Sequence, residues 1–216
     1  MMKPPFRMMV VARSQMGKTT LMVKLLLYYW LKMFNKIIIF CPTYSKDATW
    51  RCVDRYLGEK VDVYPVVTSG LVRKIWAKAD EKKKENKEFR TLIYFDDCTG
   101  QEDFNTQNPQ GIMNQLSSKG NHSGISSIYV VQKFTQCSTT MRTNAEGFLT
   151  FYTQSEAEKK YMWQEFGFGS YKDFKEVINT STKDAYHSLF VNRQGPGMPD
   201  YFHNFKWIKT DAPPST

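Results

Sequence analysis

The chain is short of cysteine and histidine, and it has no long apolar run. Its four cysteines, Cys41, Cys52, Cys98 and Cys137, include no Cys-x-x-Cys pair, and they form no tight cluster with the three histidines. That spacing argues against a zinc site and a disulfide framework, and it fits a reducing, intracellular setting. The longest apolar stretch, residues 25–31, stops at Lys32, well below the roughly 18 to 20 residues needed to span a bilayer. No membrane partner is therefore expected. The opening residues Met1-Met2-Lys3-Pro4-Pro5-Phe6-Arg7 lack the apolar core of a secretory signal, so secretion is not expected. No internal repeat is visible, and biased composition is confined to the tail Ala212-Pro213-Pro214-Ser215-Thr216.

Acidic residues are also scarce. Asp and Glu total 21 against 30 Lys and Arg, a net charge of +9. Such a balance favours a polyanionic partner, nucleic acid first, although charge alone is equally compatible with a role in solubility. With 41% apolar and 15% aromatic residues, the chain is too rich for disorder. Its 216 residues suit one domain, or one domain with a small extension, and can bury a core unaided by metal or disulfide.

Short apolar runs alternate with helix-like stretches. Strands are expected at residues 7–11, 36–41, 91–95, 126–131 and 147–151. A short strand at 61–67 is weakened, or sent to a sheet edge, by Pro65. Helices are expected at 18–33 and 71–88, the second half of the latter almost wholly charged. Asn108-Pro109 reads as an N-cap and first helical residue opening a helix to about Lys119. Ser155-Glu156-Ala157-Glu158 reads as a capping box starting another. Segments 186–191 and 201–208 flank a Gly/Pro turn, Asn192 to Gly197, which suggests an appended hairpin. The alternation implies an α/β fold with a largely parallel sheet and helices on both faces.

The sharpest motif is Ala12-Arg13-Ser14-Gln15-Met16-Gly17-Lys18-Thr19, placed between the first strand and the first helix. The phosphate loop reads G-x-x-x-x-G-K-[ST]; here Ala12 stands for the first glycine, a replacement tolerated if φ stays negative there. Successive backbone N–H groups of such a loop curl around phosphates at a helix N-terminus, where the helix dipole also favours anions. The expected nucleotide-binding residues are Ala12, Arg13, Ser14, Gln15, Met16, Gly17, Lys18, Thr19 and Thr20. Lys18 would reach the β- and γ-phosphates of ATP, and the Thr19 hydroxyl would bind Mg²⁺.

Thr91 to Asp97 is an apolar strand ending in two carboxylates, the Walker B pattern. Asp96 would hold Mg²⁺, and Asp97 would act as general base toward the attacking water. The strand at 36–41 lies between the two motifs in sequence. It suits the P-loop class in which an additional strand separates the Walker A and Walker B strands. Gln132, at the tip of the strand beside Walker A, is placed to sense the γ-phosphate. Arg142 is a candidate arginine finger for a neighbouring subunit, since a guanidinium offsets charge in the transition state. Taken singly, each is also an ordinary surface residue.

In this order and spacing, the blocks at 12–19, 92–97, His122 to Gln132 and Met141-Arg142-Thr143-Asn144 resemble the FtsK/HerA superfamily. Within it the likeness is to the poxvirus-type genome-packaging ATPases of large DNA viruses, virophages and related icosahedral viruses. The resemblance covers about residues 7–151, with Ala12 and Met141 as departures. It implies an ASCE/RecA-like P-loop NTPase core, placed over residues 1–180, to which the turn pattern adds a C-terminal hairpin and tail over 181–216. It also implies a Mg²⁺-dependent ATPase that drives double-stranded DNA into a preformed capsid. By position, Lys18 and Thr19 bind nucleotide and metal, Asp96 binds Mg²⁺ and Asp97 is the catalytic base. Gln132 is the sensor and Arg142 the trans finger.

Such a motor works as a homo-oligomeric ring, pentamer or hexamer, docked on a capsid or portal-vertex protein. It would act in the host-cell cytoplasm or virus factory, or with the virion. Candidate DNA-contacting cations are Lys119, Lys133 and the Lys82-Lys83-Lys84 cluster; His122 is either an ordinary loop residue or one that couples to DNA. Competing readings are a cellular or plasmid translocase of the same superfamily, a P-loop small-molecule kinase, and an assembly protein that binds nucleotide without turnover.

Overall fold

The computed structural model describes residues 2–104, 107–195 and 197–208. Pro196 of the expected turn and the tail from residue 209 lie outside the described residues. Nine strands form one sheet: β1 (Arg7–Val11), β2 (Lys36–Phe40), β3 (Val61–Tyr64), β4 (Thr91–Asp96), β5 (Ile125–Val131), β6 (Gly147–Thr150), β7 (Leu189–Asn192), β8 (Asp200–His203) and β9 (Lys206–Ile208). Their order is β3-β2-β4-β5-β1-β6-β7-β8-β9. The first six are parallel, and the last three continue antiparallel from β6. The helices are α1 (Lys18–Leu25), α2 (Leu31–Met33), α3 (Ser69–Glu85), α4 (Ile112–Lys119), α5 (Thr139–Asn144), α6 (Glu156–Phe166) and α7 (Tyr171–Ser181). A π-helical stretch, Leu26–Trp30, joins α1 to α2, so the segment expected as one helix is helical throughout but widened in its middle.

Alternation along the strands splits the core in two. Met8, Val10, Leu92, Tyr94, Ile128 and Val130 pack toward α1. Met9, Val11, Ile93, Phe95, Tyr129 and Val131 pack toward α3, α4 and α6. On the second face Phe40, Phe95 and Tyr129 stack across three neighbouring strands, with ring centroids 5.1 and 5.4 Å apart and planes within 6°. The stack locks β2, β4 and β5 in register directly behind the tip of β4.

Four expectations are corrected. The strand between Walker A and Walker B is β5, not the segment at 36–41, which became β2 on the far side of β4. Spatial strand order is decided by crossover packing, not by sequence order. Asn108-Pro109 does not open α4: the Asn108 carbonyl and side chain accept from Gly111 N and Gln110 N in a turn, and the helix begins at Ile112. Ser155 caps α6 by accepting from Glu158 N, but the Glu158 carboxylate does not return to it. It accepts instead from Phe134 N and Thr135 Oγ1, tying α6 to the segment after β5. Finally, the hairpin gained a third strand and is preceded by α7, which was not anticipated.

The C-terminal strands extend the core sheet. Half-buried Arg193, just after β7, donates to the carbonyls of Thr143, Ala145 and Glu165 and lies 4.4 Å over the Phe166 ring. Among the described residues no helix is long and apolar enough to cross a membrane. All four cysteines are free, and burial pushes the Cys41 thiol up to about 11. We expect Phe95→Ala to cost about 3–5 kcal/mol, as deletion of a fully buried ring does. Urea unfolding measures this, and a loss below ~1 kcal/mol would show that the aromatic stack does not organise the sheet.

Candidate nucleotide site

β1 delivers the chain to the C-terminal end of the sheet, and α1 leaves from it. The loop between them is built on two left-handed residues, Gln15 (φ 66°) and Gly17 (φ 79°). Alternating handedness of this kind turns successive N–H groups toward one concave side. Gly17 is the N-cap of α1, and no side chain caps the helix; its first turn carries no acidic residue. Its leading amides are therefore left for an anion. Ala12 is absent from the positive-φ residues. It is buried in the α1-side core, with its amide donating to Val131 O at 3.0 Å, so this position needs no glycine. Arg13, Ser14, Gln15 and Thr20 are exposed, Met16 packs on the core edge, and Lys18 and Thr19 are half-buried.

Lys18 Nζ lies 3.5 Å from Asp96 Oδ1. This contact brings the first turn of α1 to the tip of β4, across the intervening β5. Asp96 is 3% exposed, and burial raises its carboxyl pKa, opposed by Lys18 and reinforced by the neighbouring charge of Asp97. A buried, desolvated carboxylate beside one distant ammonium is suited to a further cation. A carboxylate and a threonine hydroxyl are hard oxygen donors of the kind Mg²⁺ takes. Asp97 is exposed and left-handed (φ 55°), so the chain turns at the strand end and presents this second carboxylate to solvent.

Gln132 follows β5 directly and is exposed; its amide and that of Lys133 donate to Gln136 Oε1, both at 2.9 Å. Gln132 therefore stands at the same end of the sheet as Lys18 and the acid pair, with its backbone pinned by Gln136, a partner the motif did not foretell. Arg142 is placed differently. It lies on α5, which runs away from that end toward the start of β6. Its guanidinium is occupied within the subunit: Nε is 3.6 Å from Glu165 Oε1, Nη1 donates to Cys137 O, and the group lies 5.3 Å over Phe134.

The remaining cations divide. Lys133 is at the phosphate-loop end. Lys119, His122 and the Lys82–Lys84 cluster are at the opposite end, where α3 and α4 finish and β5 starts. Lys82 and Lys84 pair within α3 with Glu85 and Asp80, and Lys83 donates to Lys87 O. Among the described residues no three His, Cys, Asp or Glu side chains gather as a metal cluster.

One residue had no sequence signal. Tyr186, beyond α7, lays its ring against Gly17: a Cβ built on that glycine would meet Tyr186 Cδ1 at 2.8 Å. Gly17 is thus required for its handedness and for this close approach.

A largely parallel sheet with an uncapped phosphate loop and a buried carboxylate beyond one intervening strand defines the P-loop ATPase class. Solved structures share the fold. The genome-packaging NTPase B204 of Sulfolobus turreted icosahedral virus 2, in complex with AMPPCP, superposes with a TM-score of 0.65 at 17% identity over 93% of this chain and 97% of that one. B204 of Sulfolobus turreted icosahedral virus, a DNA-packaging ATPase, does so with a TM-score of 0.65 at 15% identity over 93% and 98%. The pCW3 conjugation coupling protein TcpA matches at 0.56, with 12% identity over 91% of this chain and 59% of that one. No curated protein matches the chain. The profile of the Poxvirus A32 protein family matches residues 1–179, and the chain belongs to that family.

Asp96 generates a prediction about stability. Its raised pKa means that the folded state holds the carboxyl proton more tightly than the unfolded chain does. Ionising it therefore lowers stability as pH rises from the ordinary carboxyl value through the raised one. Asp96→Asn should be the more stable protein at neutral pH without ligand. Its advantage should shrink toward acid pH and vanish once Asp96 is protonated in both states. Urea unfolding at several pH values checks this; a wild type more stable than the variant at pH 7 would mean that the Lys18 pairing outweighs the burial.

Proposed function

We propose that the chain is an ATP-hydrolysing motor that translocates double-stranded DNA and packages viral genomes into a preformed capsid. The observation that carries this reading is the Lys18–Asp96 contact at 3.5 Å beside an uncapped, left-handed phosphate loop. Family membership and the packaging ATPases among the structural neighbours support it.

Lys18 would exchange Asp96 for the β- and γ-phosphates of ATP, while the loop amides from Gln15 to Thr19 cradle the phosphate chain. Asp96 and Thr19 would hold Mg²⁺, which when bound neutralises charge on the phosphate oxygens. Asp97, solvent-facing beside Asp96, would orient and deprotonate the attacking water. Gln132 would register the γ-phosphate and pass its presence to the segment that Gln136 and Glu158 anchor. As a trans finger, Arg142 would give up Glu165 and Cys137 O for a neighbouring subunit's nucleotide, which requires a pentameric or hexameric ring. A capsid or portal-vertex protein would dock that ring, in the host cytoplasm or virus factory. DNA would be gripped through phosphates, so binding should be sequence-tolerant and fall steeply with salt. The cations Lys119 and Lys82–Lys84, remote from the nucleotide end, and Lys133 beside it are the candidates.

The decisive measurement is ATPase rate with and without duplex DNA on size-separated oligomers. We expect DNA-stimulated, Mg²⁺-dependent turnover. Stimulation by a small-molecule acceptor instead would point to a kinase. Lys18→Ala should abolish turnover, with weakened ATP binding. Asp97→Asn, which keeps a residue tolerant of left-handed backbone, should lower turnover by at least ~100-fold, the contribution of a general base, while sparing ATP binding. Turnover of Asp97→Asn at the wild-type rate would remove Asp97 from the base role. Arg142→Ala subunits mixed with Lys18→Ala subunits should regain activity; no recovery in mixed rings would count against the finger.

A further inference from the structure

Resting on the nucleotide reading above, we infer that a cleft between α1 and the C-terminal strands takes the nucleoside of ATP, with Tyr186 as the ring on which the base stacks. The cleft has a volume of about 560 Å³ and starts at Gly17 itself, within the ~300–1,000 Å³ span of small-molecule sites. Thr20, Leu21 and Lys24 form its helix wall, following Gly17 at helical spacing along one face of α1. Tyr186 and the β8–β9 turn form the other wall. A nucleotide whose phosphates sit in the loop has its sugar and base leaving beside the first turn of α1, and this cleft is what lies there.

The backbone of the second wall is strained. Among the described residues five non-glycine residues have positive φ, and three of them, Tyr186 (65°), Asn204 (48°) and Phe205 (63°), line this cleft. The other two are Gln15 and Asp97 at the phosphate and acid ends of the same site. Asn204-Phe205 is a two-residue turn between His203 and Lys206 in which both centres are left-handed, where Gly would ordinarily follow Asn. Phe205 is partly accounted for by its ring, 5.3 Å from Phe190. Tyr186 has no such ring partner among the described residues: apart from its approach to Gly17 its side chain is largely exposed, at 67%.

Strain of this kind persists only where surroundings over-determine it, and it gathers at ligand clamps. The surroundings here do so. Ser188 N donates to Asn204 Oδ1 at 2.8 Å, Asn204 N donates to Ser188 O at 3.0 Å, and His187 Nδ1 and His203 Nε2 lie 3.0 Å apart. These bonds fix the two residues that follow Tyr186 to the turn, and its ring stands at the cleft against Gly17. An aromatic face, the apolar wall residues Leu21 and Phe205 and the polar rim of Thr20 and Lys24 form the chemistry that receives a base and a sugar. Tyr186 lies beyond residue 179, outside the span that the family profile matches.

The test compares ATP with inorganic tripolyphosphate, which carries the phosphates and no nucleoside. Dissociation constants for both are measured by calorimetry on wild type, Tyr186→Ala, Tyr186→Phe and Lys18→Ala. Tyr186→Ala should weaken ATP by about ten-fold or more, as loss of a base-stacking ring does, and leave tripolyphosphate unchanged; Tyr186→Phe should behave as wild type toward both. Lys18→Ala should weaken both ligands. Undiminished ATP binding by Tyr186→Ala overturns the stacking role. Equal loss of both ligands overturns it too, since Tyr186 would then act by propping Gly17. A wild type that binds neither ligand overturns the phosphate-loop reading itself and this inference with it.

Discussion

Asp96 is a carboxylate buried at the end of an apolar strand, and Lys18 at 3.5 Å is the main group that offsets the cost of that burial. Much of the architecture serves that contact. Lys18 can reach Asp96 only because one strand separates β1 from β4, and that strand is registered residue by residue to both. The register is held from behind by the Phe40–Phe95–Tyr129 stack and from the front by Tyr94, Ile128 and Val130 against α1. A one-residue slip of β4 would turn Asp96 to the other face and leave a buried charge without a partner. The fold therefore supplies rigidity where the chemistry is least stable, and the long Lys18–Asp96 separation is a pairing that a phosphate and a metal ion can displace.

The same end of the molecule carries its backbone strain. Gln15 and Asp97 are left-handed where the chain reverses at strand tips, each at a cost of about 1–2 kcal/mol relative to a glycine. Their positions are local in effect: Gln15 turns the loop amides inward, and Asp97 takes the second carboxylate out of the strand's alternation to face solvent. Charge is divided along the sheet axis. The acid pair and Lys18 occupy one end, while Lys119 and the Lys82–Lys84 cluster occupy the other. The +9 excess is thus not concentrated on the nucleotide, though part of the remote cluster is already compensated by Asp80 and Glu85.

What could be read from the sequence was what is local. The strand–loop–helix at residues 7–33 and the strand ending in Asp96-Asp97 declare themselves because a loop, a helix start and an apolar run are each coded within a few residues. Edge placement of β3 followed from Pro65. Strand order did not, since the interposed strand is chosen by crossovers longer than any motif: β5, not β2, lies between β4 and β1. Glu158 shows the same limit on a smaller scale. Its spacing from Ser155 matches a capping box, but Phe134 N and Thr135, distant in sequence, compete for the carboxylate and win. The engagement of Arg142 with Glu165 and the approach of Tyr186 to Gly17 are tertiary in origin and have no local signature.

That last contact changes what the C-terminal segment is for. Antiparallel pairing of β7 with β6, next to β1, brings the chain back to the phosphate-loop end just before Leu189, while Arg193 fixes the other end of β7 to the carbonyls around α5 and α6. The segment is therefore anchored at one end and poised over Gly17 at the other. α5 carries Arg142, whose Glu165 partner lies on α6, and the Arg193 guanidinium bonds the Glu165 carbonyl and stacks on Phe166. β7 thus has Tyr186 beside Gly17 before one end and Arg193, bonded to the segment that supports Arg142, after the other.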